Sequence, residues 1–125
     1  MAEHPNATLV REFIAAMNRS DGEAMAASIA DDVAWHYIGG TEPLRGKAAM
    51  AESLSPSSGD YTITATVHDV IANDDHAVAL VEATATRAGR TLTYRTAEIL
   101  HLSGGKVTER WAFSDDTAAI VAFFA

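Results

Sequence analysis

Glu98 is the residue of this sequence best placed to do acid–base chemistry. It lies in the stretch TLTYRTAEILHLS, which reads as a β-strand. Successive strand residues face opposite sides, so Glu98 shares a largely apolar face with Leu92, Tyr94, Thr96, Leu100 and Leu102. A carboxyl group inside an apolar pocket becomes a usable acid, because burial disfavours its charged form. If this face is partly open, Glu98 is simply solvated.

Arg110 offers a third environment for the same carboxyl group. The segment KVTERWAFS follows the turn Gly104-Gly105 and forms a hairpin with the strand that carries Glu98. A three-residue turn would place Arg110 directly opposite Glu98 as a cross-strand ion pair, which opposes a proton-donor role. A two-residue turn would place Trp111 opposite Glu98 instead, because a one-residue slip turns every side chain to the other face.

The stretch WHYIGG, residues 35–40, brings three side chains that can stack or hydrogen-bond before two glycines. Only alternate residues of a strand share a face, so Trp35 and Tyr37 lie together and His36 points elsewhere. A phenol is a poor base at neutral pH, since its ordinary pKa is about 10. The other histidines, at positions 4, 68, 76 and 101, show no metal-ligand spacing. We therefore expect neither a metal ion nor another cofactor.

The spacing of apolar residues changes about halfway along the chain, from a helical period to the alternation of strands. The first half predicts helices over about 7–19, from Asp21, and from Gly46 to about Leu54, with the short strand DVAWHY before the third. The second half alternates in segments joined by short glycine-containing turns, which predicts an antiparallel meander. SPSSGD reads as a loop, and Asp115 or Asp116 can cap a last helix, TAAIVAFF. This order predicts a single α+β domain over residues 1–125.

Composition excludes several classes of function. The formal net charge is −8, and the nine basic residues are scattered, which opposes binding to nucleic acid or anionic lipid. The absence of cysteine excludes disulfides and thiol catalysis. No signal peptide is visible at the N-terminus, and no apolar run approaches the roughly 18 residues of a membrane span. We expect a soluble cytoplasmic protein without nucleic-acid or membrane partners.

Four stretches, in their order and spacing, resemble the NTF2-like superfamily in its SnoaL-like polyketide cyclase and ketosteroid isomerase branch. They are VREFIAAMNRSD, IADDVAWHYIGGTEPLRGKAAM, AGRTLTYRTAEILHLSGGKVTERW and the closing apolar helix. The resemblance runs from residue 9 to 113, with one residue missing at Gly104-Gly105. It implies a cone-shaped fold with three N-terminal helices on a curved antiparallel sheet, a short C-terminal helix, an apolar pocket on the concave face, and a homodimer.

The resemblance also carries catalytic positions onto this chain. Ketosteroid isomerase uses an Asp base, while a Tyr and a protonated Asp stabilise the enolate oxygen. These positions fall on Tyr37 for the base, Phe13 for the tyrosine and Glu98 for the protonated acid. The acidic residue that follows Trp in the HWD segment of SnoaL-type cyclases falls on Ala112. Because Glu98 alone keeps a carboxyl group, we expect neither steroid isomerisation by that mechanism nor aldol closure by that route.

Register and pocket size follow from the same resemblance and from side-chain volume. The resemblance favours Arg110, Ala112 and Ser114 facing inward, with Trp111 and Phe113 on the convex face where family dimers meet. The inward face of the strand HAVALVEATATR carries the small residues Val81, Ala83 and Ala85, which leave room for a cavity. The alternative is that Phe13, Met17 and Tyr94 fill this space as ordinary core.

Three functional hypotheses remain. The first is an enzyme that isomerises, cyclises, dehydrates or hydrolyses a small lipophilic carbonyl or cyclic compound, with Glu98 as acid or base and Tyr37 or Tyr94 as hydroxyl donor. Its ligand-lining residues would be Phe13, Met17, Trp35, Tyr94 and Arg110. The second is a protein that binds such a ligand without converting it. The third is a dimerisation module that works through its convex face.

Overall fold

The computed structural model describes residues 3–53 and 61–125. The helices are α1 (Pro5–Asn18), α2 (Gly22–Ala27), α3 (Lys47–Ser53) and α4 (Thr117–Phe124). The strands are β1 (Ile29–Trp35), β2 (Leu44–Arg45), β3 (Tyr61–Ala72), β4 (His76–Arg87), β5 (Arg90–Ser103) and β6 (Lys106–Ser114). The predicted α+β class is confirmed. Leu54 and the loop expected over SPSSGD lie outside the described residues.

The strands form one curved, unclosed sheet in the order β2-β1-β6-β5-β4-β3. The predicted antiparallel meander is confirmed for β3 to β6, whose consecutive strands all pair antiparallel. The sheet is nevertheless mixed, because β1 pairs parallel with β6. The β4–β5 turn consists of Ala88 and Gly89, both with positive φ, which suits the twist of a two-residue hairpin.

The concave face of the sheet packs against the N-terminal helices. Alternate β4 residues are buried there, and α1 covers them with Val10, Phe13 and Ile14. Asn18, at the end of α1, holds the free edge of β3: its Nδ2 donates to the carbonyl of Ala65 at 2.7 Å, and its Oδ1 accepts from the same residue's N–H at 2.8 Å. The side chain thus supplies hydrogen bonds that a neighbouring strand would otherwise provide.

Helix α4 covers the other end of the concave face. Asp116 caps it by accepting from the N–H of Ala119 at 3.0 Å, so Asp116 fills the capping role that the sequence left open between two aspartates. Arg87 donates to the carbonyl of Phe123 at 3.0 Å near the other end of the helix. The apolar side of α4 belongs to a second core cluster made of Ala83, Ala85, Tyr94, Ile120 and Phe123.

Gly39, in the loop after β1, lies against α4. Its φ is +77°, and a Cβ there would lie 2.5 Å from Cγ2 of Val121. Replacing Gly39 with Ala should therefore lower the free energy of unfolding by about 2–3 kcal/mol, from left-handed strain together with the clash. Gly89→Ala is the matched control, because Gly89 also has a φ of +77° but nothing within 4 Å. It should cost about 1–2 kcal/mol. Denaturant unfolding measures both, and equal losses would show that the α4 contact is unimportant.

Candidate active site

Glu98 and Arg110 form an ion pair on the concave face. Nε and Nη2 of Arg110 lie 2.9 and 2.8 Å from the same carboxylate oxygen, Oε1 of Glu98. The two side chains are only 16% and 12% exposed, so water screens the pair weakly. Of the three environments that the sequence allowed for Glu98, the structure shows the ion pair.

The pairing behind this contact differs from both predicted registers. The hairpin has a two-residue turn, with Ser103 opposite Lys106, but Thr108 is an extra residue on β6, and the register shifts there. Beyond this bulge Arg110 lies opposite Leu100, and Ala112 lies opposite Glu98. The predictions that Arg110 or Trp111 lies directly opposite Glu98 are therefore wrong. The bulge keeps Arg110 on the face of Glu98, and the guanidinium reaches the carboxylate diagonally.

Trp35 provides the surface on which Arg110 rests. The Cζ of Arg110 lies 4.5 Å from the centroid of the Trp35 ring, a cation–π contact. Phe13 of α1 packs against the Trp35 ring, and the centroids of the two rings are 5.7 Å apart. Trp35 and Phe13 are buried, and Met17 is partly buried against the same core. Helix α1 and strand β1 thus supply the aromatic surface beneath the guanidinium.

The second carboxylate oxygen of Glu98, Oε2, is not used by the ion pair. Within the described residues it makes no hydrogen bond, since both contacts of Arg110 go to Oε1. Every fully buried side-chain nitrogen or oxygen in the described part of the chain has a partner. Oε2 therefore keeps some contact with solvent. The arrangement leaves one oriented oxygen free to accept a proton.

Tyr94 lies on the same face of β5 as Glu98 and is buried. Burial raises the pKa of Tyr94, and the negative charge of Glu98 raises this pKa further, while Arg110 opposes both. The phenol therefore stays protonated at neutral pH. Since it can donate but not abstract a proton, Tyr94 fits the hydroxyl-donor role of the first hypothesis.

Tyr37 lies outside the strand on which its predicted position rested. Strand β1 ends at Trp35, so the expected strand over DVAWHY is wrong in its last two residues, and alternation no longer fixes the direction of Tyr37. Its side chain belongs to the exposed large hydrophobics, at 42%. The structure does not bring it to the Glu98–Arg110 pair through strand parity, and its catalytic role remains a prediction.

The outer, convex face of the sheet carries a second group of aromatic side chains. His36 stacks on Trp111 with ring centroids 4.9 Å apart and planes 11° apart, and its Nε2 lies 2.8 Å from Oε2 of Glu109. Phe113 is 59% exposed beside them. Further along this face lies an open depression of about 660 Å³ lined by Leu80, Glu82 and Arg95 among others. This depression is separate from the Glu98–Arg110 pair.

One contribution to the site was not visible in the sequence. The carbonyl of His36 accepts from Nη1 of Arg110 at 3.0 Å. The sequence predicted that His36 points away from Tyr37 and assigned it no role. A backbone carbonyl carries no residue-type signal, so only the pairing of β1 with β6 could have revealed it.

Across residues 3–53 and 61–125, no three side chains of His, Asp or Glu are grouped to hold a metal ion. Within the same ranges, no helix has the length and apolar character needed to cross a bilayer.

Sequence comparison places these features in a family. The pattern of the SnoaL-like domain matches residues 10–110. Uncharacterised proteins of Mycobacterium bovis and Mycobacterium tuberculosis are each 30% identical to the chain over 132 aligned positions, with both partners covered in full.

Solved structures share the fold. Bal32a, from a soil-derived mobile gene cassette, has a TM-score of 0.88 at 23% identity, covering 97% of each chain. An LEH-like epoxide hydrolase of M. tuberculosis has a TM-score of 0.80 at 16% identity, covering 89% of this chain and 83% of its own. A proposed polyketide cyclase of Xanthomonas campestris has a TM-score of 0.78 at 22% identity, covering 96% and 94%. The chain belongs to the SnoaL-like family of the NTF2-like superfamily.

Proposed function

We propose that this protein is an enzyme that acts on a small, neutral, lipophilic carbonyl or cyclic compound, with the Glu98 carboxylate as general base. The observation that carries the proposal is the one-sided ion pair: Arg110 occupies Oε1 and leaves Oε2 free. A carboxylate with one oxygen held in place and the other free can accept a proton from a defined direction. The acid role that the sequence allowed is the alternative.

The chemistry requires a proton acceptor and donors to the oxygen that gains charge. Oε2 of Glu98 would take a proton either from a carbon next to a carbonyl or from a water molecule that attacks a strained ring. The phenol of Tyr94 and the remaining N–H groups of Arg110 would donate to the developing oxyanion. Tyr37 is kept as a second candidate hydroxyl donor.

The substrate class follows from the charge and the walls of the site. Glu98 and Arg110 neutralise each other, and the surrounding side chains are apolar or aromatic, including Trp35, Phe13 and Met17. The pair carries no net charge, so a neutral ligand can bind beside it without adding an unbalanced charge to apolar surroundings, whereas a charged ligand would add one. The named activities of the similar structures, epoxide hydrolase and polyketide cyclase, are consistent with this class for those proteins.

The test is turnover by the purified protein of a panel of neutral ketones, lactones and epoxides, followed by mass spectrometry. Conversion by the wild-type chain that is lost in the Glu98→Gln variant supports the proposal. Ligands that raise the melting temperature without any product would favour the alternative, a binding protein. Phe13 and Ala112 favour that alternative, because they carry no functional group at positions where relatives carry catalytic ones.

We also propose that the convex face meets a second copy of the chain in a homodimer. The side chains of Phe113, Ile71 and Leu80 are 59%, 64% and 36% exposed, a large apolar area for one sheet face. Replacing Phe113 with Asp should convert a dimer to a monomer in sedimentation velocity, since a charge in an apolar interface is unpaired. A wild-type monomer at micromolar concentration would contradict this proposal.

A further inference from the structure

We propose that His36 is a positioning residue that acts from the outer face of the sheet and fixes the orientation of Arg110 on the inner face. The inference rests on the proposed function, because Arg110 matters to it as the group that orients Glu98. It concerns a residue that touches neither Glu98 nor a substrate. It therefore predicts an effect on the site from a side chain on the opposite side of the sheet.

The backbone of His36 holds Arg110 from two directions. The N–H of His36 donates to the carbonyl of Arg110 at 2.8 Å, and the carbonyl of His36 accepts from Nη1 of Arg110 at 3.0 Å. The second contact fixes the guanidinium at its end away from Glu98. Together with the Trp35 ring beneath it, this carbonyl determines which way Nε and Nη2 point.

The ring of His36 adds a second anchor to that backbone. Strand β1 ends at Trp35, and the N–H of His36 still makes a backbone hydrogen bond to Arg110 of β6. The ring is held by Glu109 at 2.8 Å and by stacking on Trp111. Glu109 and Trp111 flank Arg110 on β6 and face outward, as alternation requires. The outward-facing side chains of His36, Glu109 and Trp111 therefore hold together the two backbone segments that position Arg110 on the inner face.

The outer side chains His36 and Glu109 are more exposed to solvent than Arg110, and this difference makes the proposal testable. The side chains of His36 and Glu109 are 27% and 32% exposed, so both can be replaced with little damage to the core. The guanidinium of Arg110 is 12% exposed, and its Nε proton is bonded to Glu98. Solvent exchange of that Nε proton reports how often the Arg110–Glu98 bond opens, whether or not the protein has catalytic activity.

The experiment is heteronuclear NMR of the full chain, with the Arg110 Nε–H signal assigned through Arg110→Lys. In His36→Ala the exchange of this proton should accelerate about tenfold or more, as expected when a charge-assisted network loses one anchor. His36→Gln should restore most of the protection, because the amide can still donate to Glu109. Glu109→Ala should give an intermediate acceleration and serves as the second variant if His36→Ala does not fold.

His101→Ala is the matched control. The ring of His101 also lies 4.9 Å from Trp111, but in the described part of the chain no hydrogen bond or ion pair joins its side chain to residue 36 or 110. It should leave the Arg110 exchange rate unchanged. Equal exchange in His36→Ala and wild type, or equal acceleration in His36→Ala and His101→Ala, would overturn the proposal. Failure of the proposed enzyme activity would leave this result standing, because the readout needs no substrate.

Discussion

Replacing Arg110 with Met should lower the free energy of unfolding by about 3–5 kcal/mol, the range found when one partner of a buried ion pair is removed. The variant leaves the Glu98 carboxylate, only 16% exposed, without the two donors that contact its Oε1. It also leaves the carbonyl of His36 without its donor. Urea denaturation followed by circular dichroism measures the loss.

Two further variants separate the ion pair from ordinary packing. Adding Glu98→Leu to Arg110→Met should recover most of the loss, because the double variant no longer buries an unpaired charge. Arg95→Met is the matched control: its Nε lies 3.7 Å from Glu82, but the side chains are 77% and 52% exposed, so it should cost less than about 1 kcal/mol. A double variant as unstable as Arg110→Met alone would show that the guanidinium stabilises mainly by packing on Trp35.

Replacing Glu98 with Gln should lower kcat by about 10²–10⁴-fold on any substrate that the panel identifies, the usual contribution of a positioned general base. The amide keeps an oxygen that can accept from Arg110, but the guanidinium charge is then unbalanced, so the melting temperature should fall. The comparison of kcat is therefore made at a temperature where circular dichroism shows the variant to be folded. Loss of kcat with an unchanged KM would show that the carboxylate acts in the chemical step.

The control for this experiment is Glu82→Gln, which removes an exposed carboxylate from the outer face of the sheet. It should leave kcat unchanged. If Glu98→Gln turned over substrate at the wild-type rate, Glu98 would not be the base and the proposed mechanism would fail. Replacing Tyr94 with Phe in the same assay would then show whether the phenol acts without it.

The fold could be predicted because its signals are local. Helical spacing in the first half and alternation in the second are fixed by neighbouring residues, and caps such as Asp21 and Asp116 follow from side-chain chemistry. The apolar face around Glu98 was visible for the same reason. The alternating pattern does not show that β1 ends at Trp35. The predicted direction of Tyr37 depended on the strand continuing to residue 37, so it lost its basis.

The Glu98–Arg110 ion pair could be predicted in its two members but not in its geometry. Arg110 and Glu98 were both identified, yet their pairing depends on the bulge at Thr108, and no residue type demands a bulge there. The contact between Arg110 and the His36 carbonyl depends on strands far apart in the chain. Tertiary pairing of that kind leaves no periodic pattern in the sequence.

The parallel pairing of β1 with β6 has a consequence for the order of folding. The residues that it joins, such as Trp35 and Arg110, come from opposite ends of the chain, and 74 positions separate His36 from Arg110. Contacts across such a span form late, because closing a long loop costs entropy before any contact repays it. The hairpins of the meander can form earlier from adjacent segments. We therefore expect the guanidinium to reach its final place only in the last step of folding, after the sheet around it already exists.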